Sequence, residues 1–380
     1  MRETAALEWL RGQGEAIESS LAELVNVSSY TGDKAGCDAV GAMLRELVPL
    51  GCEAVPSERF GDHLFFSSRR AAREGGVILV GHHDTVFPKS VFDGFRVDGG
   101  LVRGPGVLDM KGGLVVIAWA LRALREVDLL DKIALTLAVV SDEEVGSPDS
   151  AAQLRRRAAG ASAALVFESG RVGDAIITRR KGIGSVDVTV KGRAAHAGNG
   201  HREGVNAIWA LSRFVDRAQS LSDYAREVTV NVGLIHGGMG RNTVPDAARA
   251  ELEFRYASKA DGDALLAALK AHADDLGVPG AQVALDTAVQ RTPLERTEAS
   301  ARLYEAYAAA QRAAGLGDVE AALIGGGSDA SNTADAGVPS IDGLGPRGAG
   351  FHTVNEYAER ASFVPKAEAL VRFLMTQVSH

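Results

Sequence analysis

Five short segments carry side chains suited to holding a divalent cation. They are His82-His83-Asp84, Asp109 within Gly-Pro-Gly-Val-Leu-Asp-Met-Lys-Gly-Gly at 104–113, Glu143-Glu144 within Asp-Glu-Glu-Val-Gly-Ser at 142–147, Glu168 within Phe-Glu-Ser-Gly at 167–170, and His352. Each alone has an ordinary reading: a surface loop, a helix cap at Asp109, a solvated acidic pair, a charge closing a strand, a loop histidine. Together, two histidines and three carboxylates suit a pair of zinc-like ions with one carboxylate shared between them. Such a pair lowers the pKa of a water and stabilises charge on an attacked carbonyl. Glu143 beside Glu144 supplies one acid to ligate and one to work as a base. The chemistry in view is metal-assisted hydrolysis.

These segments are far apart in the chain, so a fold must gather them. Leu7–Leu24 and Ala39–Leu47 have the spacing of amphipathic helices. Val77–Val80 is a continuous apolar run ending at Gly81, the pattern of a strand buried on both faces. Gly112–Leu124 reads as a buried helix, and Ile133–Val140 and Ala163–Phe167 as further buried strands. Alternating strands and helices give an α/β layer with a largely parallel sheet. Each of these strands ends in candidate ligands, and open α/β sheets bind at the carboxyl ends of their strands. The pattern changes near Gly182. Ser185–Lys191, Val228–Leu234 and Ala250–Tyr256 alternate apolar and polar residues, with helices expected at Val205–Ala218 and Gly262–Leu276. That order is a ferredoxin-like antiparallel layer. After Pro293 the buried pattern returns, with a helix at Ser300–Ala314, apolar stretches at Ala321–Ile324 and Val338–Ile341, and a helix at Pro365–Val378. The expected fold class is α/β: a discontinuous domain at 1–181 and 293–380, with an α+β domain inserted at 182–292. Arg155-Arg156-Arg157 reads as a solvated helix face.

The 380 residues are 46% hydrophobic and 24% charged, which excludes a disordered or collagen-like chain. A net charge of −8 argues against non-specific binding to nucleic acid or an anionic membrane. The longest uncharged apolar stretches, Gly112–Leu121 and Ile133–Val140, are too short to span a bilayer. Glu3–Asn26 mixes charges with leucine at helical spacing and lacks the apolar centre of a secretory leader. A soluble, cytoplasmic protein is expected. Cys37 and Cys52 cannot build a disulfide framework and are read as buried, reduced thiols.

The five motifs, in this order and with this insertion, resemble the co-catalytic dizinc metallopeptidases. That family includes aminoacylase, acetylornithine deacetylase, succinyl-diaminopimelate desuccinylase and glutamate carboxypeptidase. The resemblance implies two Zn2+, with Co2+ or Mn2+ as substitutes. By it, His82 and Glu168 hold one ion, Glu144 and His352 the other, and Asp109 bridges both. Asp84 orients His82, and Glu143 is the general base acting on the water between the ions. His83 fills a variable position and is structural. The Asp109–Met110 peptide is expected to be cis. The inserted domain is implied to be a lid and a homodimer contact. His196, in Gly-Arg-Ala-Ala-His-Ala-Gly at 192–198, is implied to stabilise the oxyanion across the dimer interface. Asn242 and Arg255 match positions that grip a substrate carboxylate, although Arg255 also suits a salt bridge on the wet face of its sheet. The run Gly325–Asp329, with Gly327 and Ser328, would add backbone N–H groups to that grip. Thr31-Gly32-Asp33, Gly-Gly-Gly-Ser-Asp-Ala at 325–330 and His-Thr-Val-Asn-Glu-Tyr at 352–357 are similar to the glutamate carboxypeptidase branch. The activity implied is hydrolysis of an amide bond next to a free carboxylate in a small N-acyl-amino-acid or peptide substrate. An N-acyl-amino-acid deacylase and an inactive metal-binding homologue are the alternatives.

Overall fold

The computed structural model describes residues 1–70 and 75–378. Two helices, α1 (Arg2–Arg11) and α2 (Gly14–Val25), replace the single helix expected over Leu7–Leu24. The break falls at Gly12-Gln13-Gly14, where each glycine costs a helix interior about 1 kcal/mol relative to alanine. Asp33 caps α3 (Lys34–Leu47) by accepting from the Gly36 N–H. A hairpin of β1 (Gly51–Val55) and β2 (His63–Ser67) follows, a stretch to which the sequence pattern assigned no element. Every residue of β3 (Val77–His82) is buried. A small hairpin, β4 (Arg96–Asp98) and β5 (Leu101–Arg103), precedes α4 (Lys111–Glu126), which is buried on all faces from Lys111 to Leu121. Then come β6 (Leu135–Val140), α5 (Ser150–Ala158) and β7 (Ala163–Val166). Arg155 and Arg156 on α5 are exposed, and Arg157 pairs with Glu53.

Next are β8 (Gly182–Lys191), β9 (Ala195–His196), α6 (Ala207–Gln219), β10 (Thr229–Gly237), β11 (Thr243–Val244), β12 (Ala247–Tyr256), α7 (Lys259–Asp274) and β13 (Gln282–Arg291). The chain closes with α8 (Glu298–Ala313), α9 (Ala330–Asp335), β14 (Ser340–Ile341), β15 (Gly348–Ala349), β16 (Tyr357–Glu359) and α10 (Phe363–Met375).

The chain divides into two compact units. One comprises Met1–Thr178, Arg296–Ala322 and Ser328–His380; the other comprises Arg179–Glu295 with Leu323–Gly327. Leu323–Gly327 groups with the second unit because Arg180 bridges to Ile324 and the Lys181 N–H donates to the Ile324 carbonyl at 2.8 Å.

In the first unit the main sheet has the order β1-β2-β6-β3-β7-β14. The pairings among β6, β3, β7 and β14 are parallel, and the β1-β2 hairpin adds an antiparallel edge. Helix α4 lies against β3, and Gly113 permits a close approach, since a Cβ there would fall 2.1 Å from the Phe167 carbonyl oxygen. Helix α10 packs against α1, α4 and α8. On α10, Lys366 is fully buried with Nζ 3.2 Å from Asp174 Oδ1, while Arg347 Nη1 stands 2.8 Å from Asp174 Oδ2. Burial pushes the Lys366 ammonium down to about 8, against the pull of Asp174. Cys37 is buried, but Cys52 is exposed, contrary to expectation, because β1 is the edge strand. No helix among the described residues is long and apolar enough to cross a membrane.

In the second unit the sheet order is β10-β12-β8-β13, all antiparallel, the ferredoxin-like arrangement. One face, including Val186, Val188, Leu252 and Phe254, is buried with Leu211 and Phe214 of α6 and Leu265 and Leu269 of α7.

Candidate metal centre

Parallel pairing sets the carboxyl ends of β6, β3 and β7 side by side. His82 is the last residue of β3, and Asp84 follows two residues on. Glu143 and Glu144 lie in a short turn just past β6, and Glu168 lies just past β7. Asp109 immediately precedes the start of α4, and its peptide to Met110 is cis. His352 comes from the loop between β15 and β16.

Asp109 is the centre of the arrangement. Its Oδ1 stands 3.3 Å from His82 Nε2 and its Oδ2 stands 3.3 Å from His352 Nε2. Glu168 Oε1 lies 3.6 Å from His82 Nε2, and Glu144 Oε2 lies 3.0 Å from His352 Nε2. Each histidine therefore has its own carboxylate, and both face opposite oxygens of Asp109. His82 Nδ1 donates to the Asp84 carbonyl at 3.0 Å, with Asp84 Oδ1 at 3.3 Å. This holds Nε2 toward Asp109 and Glu168. Asp84 is fully buried, and its carboxylate accepts from the Thr31 hydroxyl at 2.8 Å and from the Glu143 and Glu144 N–H groups at 3.3 Å. One side chain thus orients both the histidine and the acidic pair.

The electrostatics fit a cation. His82 Nε2 is buried and makes no hydrogen bond among the described residues. Burial works against charge on His82, yet Glu168, Asp109 and Asp84 hold it well above the usual histidine value. Hydrogen bonds to Asp109 and Glu144 lift His352 to about 10. Burial lifts Glu144 and Glu168 above the carboxylate range, with the Asp109 charge adding to it against the pull of the histidines. Burial also opposes ionisation of Asp109, but the adjacent His352 and His82 imidazoles win and keep it ionised far into acid. The cluster holds protons on the nitrogens a metal would take, and a metal that binds there releases them. Two sets of side-chain atoms are close enough to share an ion: His82, Glu143 and Glu168, and His82, Asp109 and Glu144. The second set overlaps the pairing around Asp109; the first sets Glu143 against Glu168.

Three further buried residues lie close to these side chains in sequence. His83 is fully buried, neither ring nitrogen has a hydrogen-bond partner among the described residues, and burial lowers it to about 4. Lys111 is fully buried, and its Nζ donates to the carbonyls of Leu24 and Val27 at 3.0 and 2.9 Å, satisfying groups at the end of α2. Glu356 is fully buried, and its carboxylate accepts from the N–H groups of Gly106, Leu108 and Asp109. The sequence reading missed Lys111 and Glu356 as residues of the site. The available signal was Glu356 four residues after His352 in His-Thr-Val-Asn-Glu-Tyr.

The remaining candidates divide between the units. His196, Asn242, Arg255 and Gly327 belong to the second unit, and Ser328 to the first. His196 is exposed on β9, and its Nδ1 accepts from the Gly198 and Asn199 N–H groups, both at 3.1 Å. The proton of the neutral ring therefore sits on Nε2. The Asn242 carbonyl accepts from the Ala197 N–H at 2.9 Å, so Asn242 stands beside His196 on the β9-β11 ladder. Arg255 Nε donates to Glu253 at 2.8 Å and Nη1 to the Gly325 carbonyl at 2.7 Å. The Ser328 hydroxyl is buried and donates to Asp342 at 2.5 Å, so its side chain is committed inside the first unit.

Comparison with known proteins follows this geometry. Residues 78–376 match the family described as Peptidase family M20/M25/M40. The chain is 32% identical over 372 residues to Carboxypeptidase G2 from Pseudomonas sp. (strain RS-16), spanning 95% of this chain and 89% of that protein. It is 27% identical over 354 residues to a succinyl-diaminopimelate desuccinylase from Thioalkalivibrio sulfidiphilus (strain HL-EbGR7), spanning 88% and 92%. In fold it is similar to aminopeptidase PepT from Bacillus cereus ATCC 10987, with a TM-score of 0.79 at 22% identity over 96% of this chain and 99% of that one. This chain belongs to peptidase family M20/M25/M40, and it is a hydrolytic enzyme.

Proposed function

We propose that the enzyme hydrolyses an amide bond next to a free carboxylate, releasing an amino acid of the glutamate type. The observation that carries this reading is Asp109, whose two oxygens each face a histidine that has its own carboxylate. His82, Asp109 and Glu168 would hold one divalent ion, and Asp109, Glu144 and His352 the second. Two such ions, zinc by donor set with cobalt or manganese as substitutes, supply a lowered water pKa and charge stabilisation at the attacked carbonyl. Asp84 keeps His82 Nε2 aimed inward. Glu143 accepts the proton of the attacking water and delivers it to the leaving amine. His196 offers its Nε2–H to the oxyanion. Asn242, Arg255 and the backbone N–H groups of Gly327 and Ser328 grip the substrate carboxylate, Arg255 through a planar fork.

A carboxypeptidase at 32% identity over nearly the whole chain supports the carboxypeptidase part of this reading. The desuccinylase relative favours a second one, an N-acyl-amino-acid deacylase with the same chemistry and a different acyl pocket. An inactive homologue is disfavoured because Glu143 stands beside the complete ligand set. A homodimer contact on the second unit is part of the proposal. Its support is Leu234 and Ile235, exposed on the edge strand β10.

Metal content and hydrolysis measured on one sample, before and after chelation, test the proposal. Two ions per chain are expected, with cleavage of a Glu-terminated amide lost on chelation and restored by zinc. Two ions with cleavage of N-acetyl amino acids alone would move the assignment to the deacylase. No bound ion at any zinc concentration would overturn the metal centre.

A further inference from the structure

Most of the candidate ligands arise from the ends of packed strands or the start of α4. His352 does not. It sits on the β15-β16 loop at φ +62°, and its side chain is 53% exposed. Something other than burial must hold it in place. The loop closes on itself: the Thr353 N–H and hydroxyl both donate to the Gly350 carbonyl, and the Glu356 N–H donates to the Thr353 carbonyl at 3.1 Å. Gly350 is at φ +80°, and a Cβ there would fall 2.7 Å from the Asn355 carbonyl oxygen, so the turn tolerates no larger residue without shifting. From the far end of this turn Glu356 reaches the segment before α4. Its Oε1 accepts from the Leu108 N–H at 2.8 Å and the Asp109 N–H at 3.0 Å, and its Oε2 from the Gly106 N–H at 3.3 Å. A buried carboxylate spent entirely on backbone N–H groups is not itself a ligand.

We propose that Glu356 is a positioning residue that locks the Asp109 turn to the His352 loop, so that the shared carboxylate and the exposed imidazole meet one ion as a single unit. The inference rests on the metal-centre reading above and adds a determinant of how tightly one of the two ions is held. A glutamine at 356 keeps an oxygen for Leu108 and Asp109 but turns an amide N–H2 toward the Gly106 N–H, donor against donor. Partners of this kind behind a metal ligand are typically worth about 10–100-fold in metal affinity.

The test is a titration of the full chain with Zn2+ against a chromophoric chelator, without substrate, for wild type, Glu356→Gln, Glu356→Ala and His352→Ala. In Glu356→Gln the ion facing His352 is expected to bind about 10–100-fold more weakly, with a smaller loss at the other ion through the shared Asp109. Glu356→Ala weakens that same ion further, and His352→Ala loses it. The unfolding midpoint of each metal-free variant is measured alongside. A merely structural Glu356 would lower the midpoint and leave both zinc affinities unchanged, and that result overturns the proposal. If His352→Ala also keeps two ions at wild-type affinity, the metal-centre reading itself fails.

Discussion

Replacing Glu143 and Glu144 one at a time by glutamine separates base from ligand. The residues are adjacent, and both backbone N–H groups rest on the Asp84 carboxylate at 3.3 Å, so neither substitution disturbs the turn. The Glu144 side chain is 4% exposed, and its Oε2 lies 3.0 Å from His352 Nε2. An amide there loses the charge that would neutralise an ion, leaving only His352 and the shared Asp109 on that side. Glu144→Gln should therefore retain one ion of two. Glu143→Gln leaves every assigned ligand in place and removes the proton acceptor. A positioned base contributes about 10²–10⁴-fold, equivalent to about 3–5 kcal/mol of barrier at about 1.4 kcal/mol per tenfold. Glu143→Gln should thus bind two ions and lose turnover by that factor. The assay is metal content after exhaustive dialysis, with kcat on the same preparation. The competing arrangement is visible in the structure, since His82, Glu143 and Glu168 could also share an ion. Loss of an ion in Glu143→Gln together with full occupancy in Glu144→Gln would refute the division of roles. Turnover within about tenfold of wild type in Glu143→Gln would refute the base.

Two further outcomes follow from groups away from the ions. His196 Nδ1 accepts two backbone N–H groups, so the ring presents Nε2–H. His196→Ala should lower kcat by about 10²–10³-fold with metal content intact, and an unchanged kcat would exclude the oxyanion donor. Lys366 is fully buried, and burial depresses its folded pKa to about 8 from the ordinary 10.5. Between those values the unfolded chain holds a proton that the folded chain has released, so stability rises with pH across the window. Relative to Lys366→Met, the wild type should gain up to about 3 kcal/mol between about pH 8 and pH 10.5 and show no change below it. Denaturant midpoints at both ends of that range check it; parallel curves would show that Lys366 does not titrate there.

The parts of the site that sit on buried strands were legible in the sequence. Val77–Val80, Ile133–Val140 and Ala163–Phe167 are runs of apolar residues with polar ends, and a strand buried on both faces has no other way to be written. The β1-β2 hairpin was missed, although Leu64, Phe65 and Phe66 are buried. Its apolar run is short and opens on His63, a buried polar residue tied to Asp149 and Ser141. The two-residue strand β15 is too short for any periodicity, whereas β14 falls within the apolar stretch Val338–Ile341. Glu356 was invisible as part of the site for a different reason. Its partners are backbone N–H groups about 250 positions upstream, and its one local signal, the place four residues after His352, does not say that it will be buried against them. The break between α1 and α2 lies at Gly12 and Gly14, and the reading of one helix over Leu7–Leu24 ran across them on apolar spacing alone.

The discontinuity of the first unit has a consequence for synthesis. Its N-terminal stretch ends at Thr178, yet β14, which completes the sheet beside β7, and α10, which covers α1 and α4, are made only after Arg179–Glu295. At about 5–20 residues per second the wait from Thr178 to α10 is roughly 10–40 s. The second unit, nearly continuous in sequence, can close during that interval, while the apolar faces of α1 and α4 stay open to chaperones and to one another. His352 and Glu356 also emerge only after Arg179–Glu295. A nascent chain at that stage therefore carries Asp84, Asp109, Glu143, Glu144 and Glu168 without the loop that completes the site.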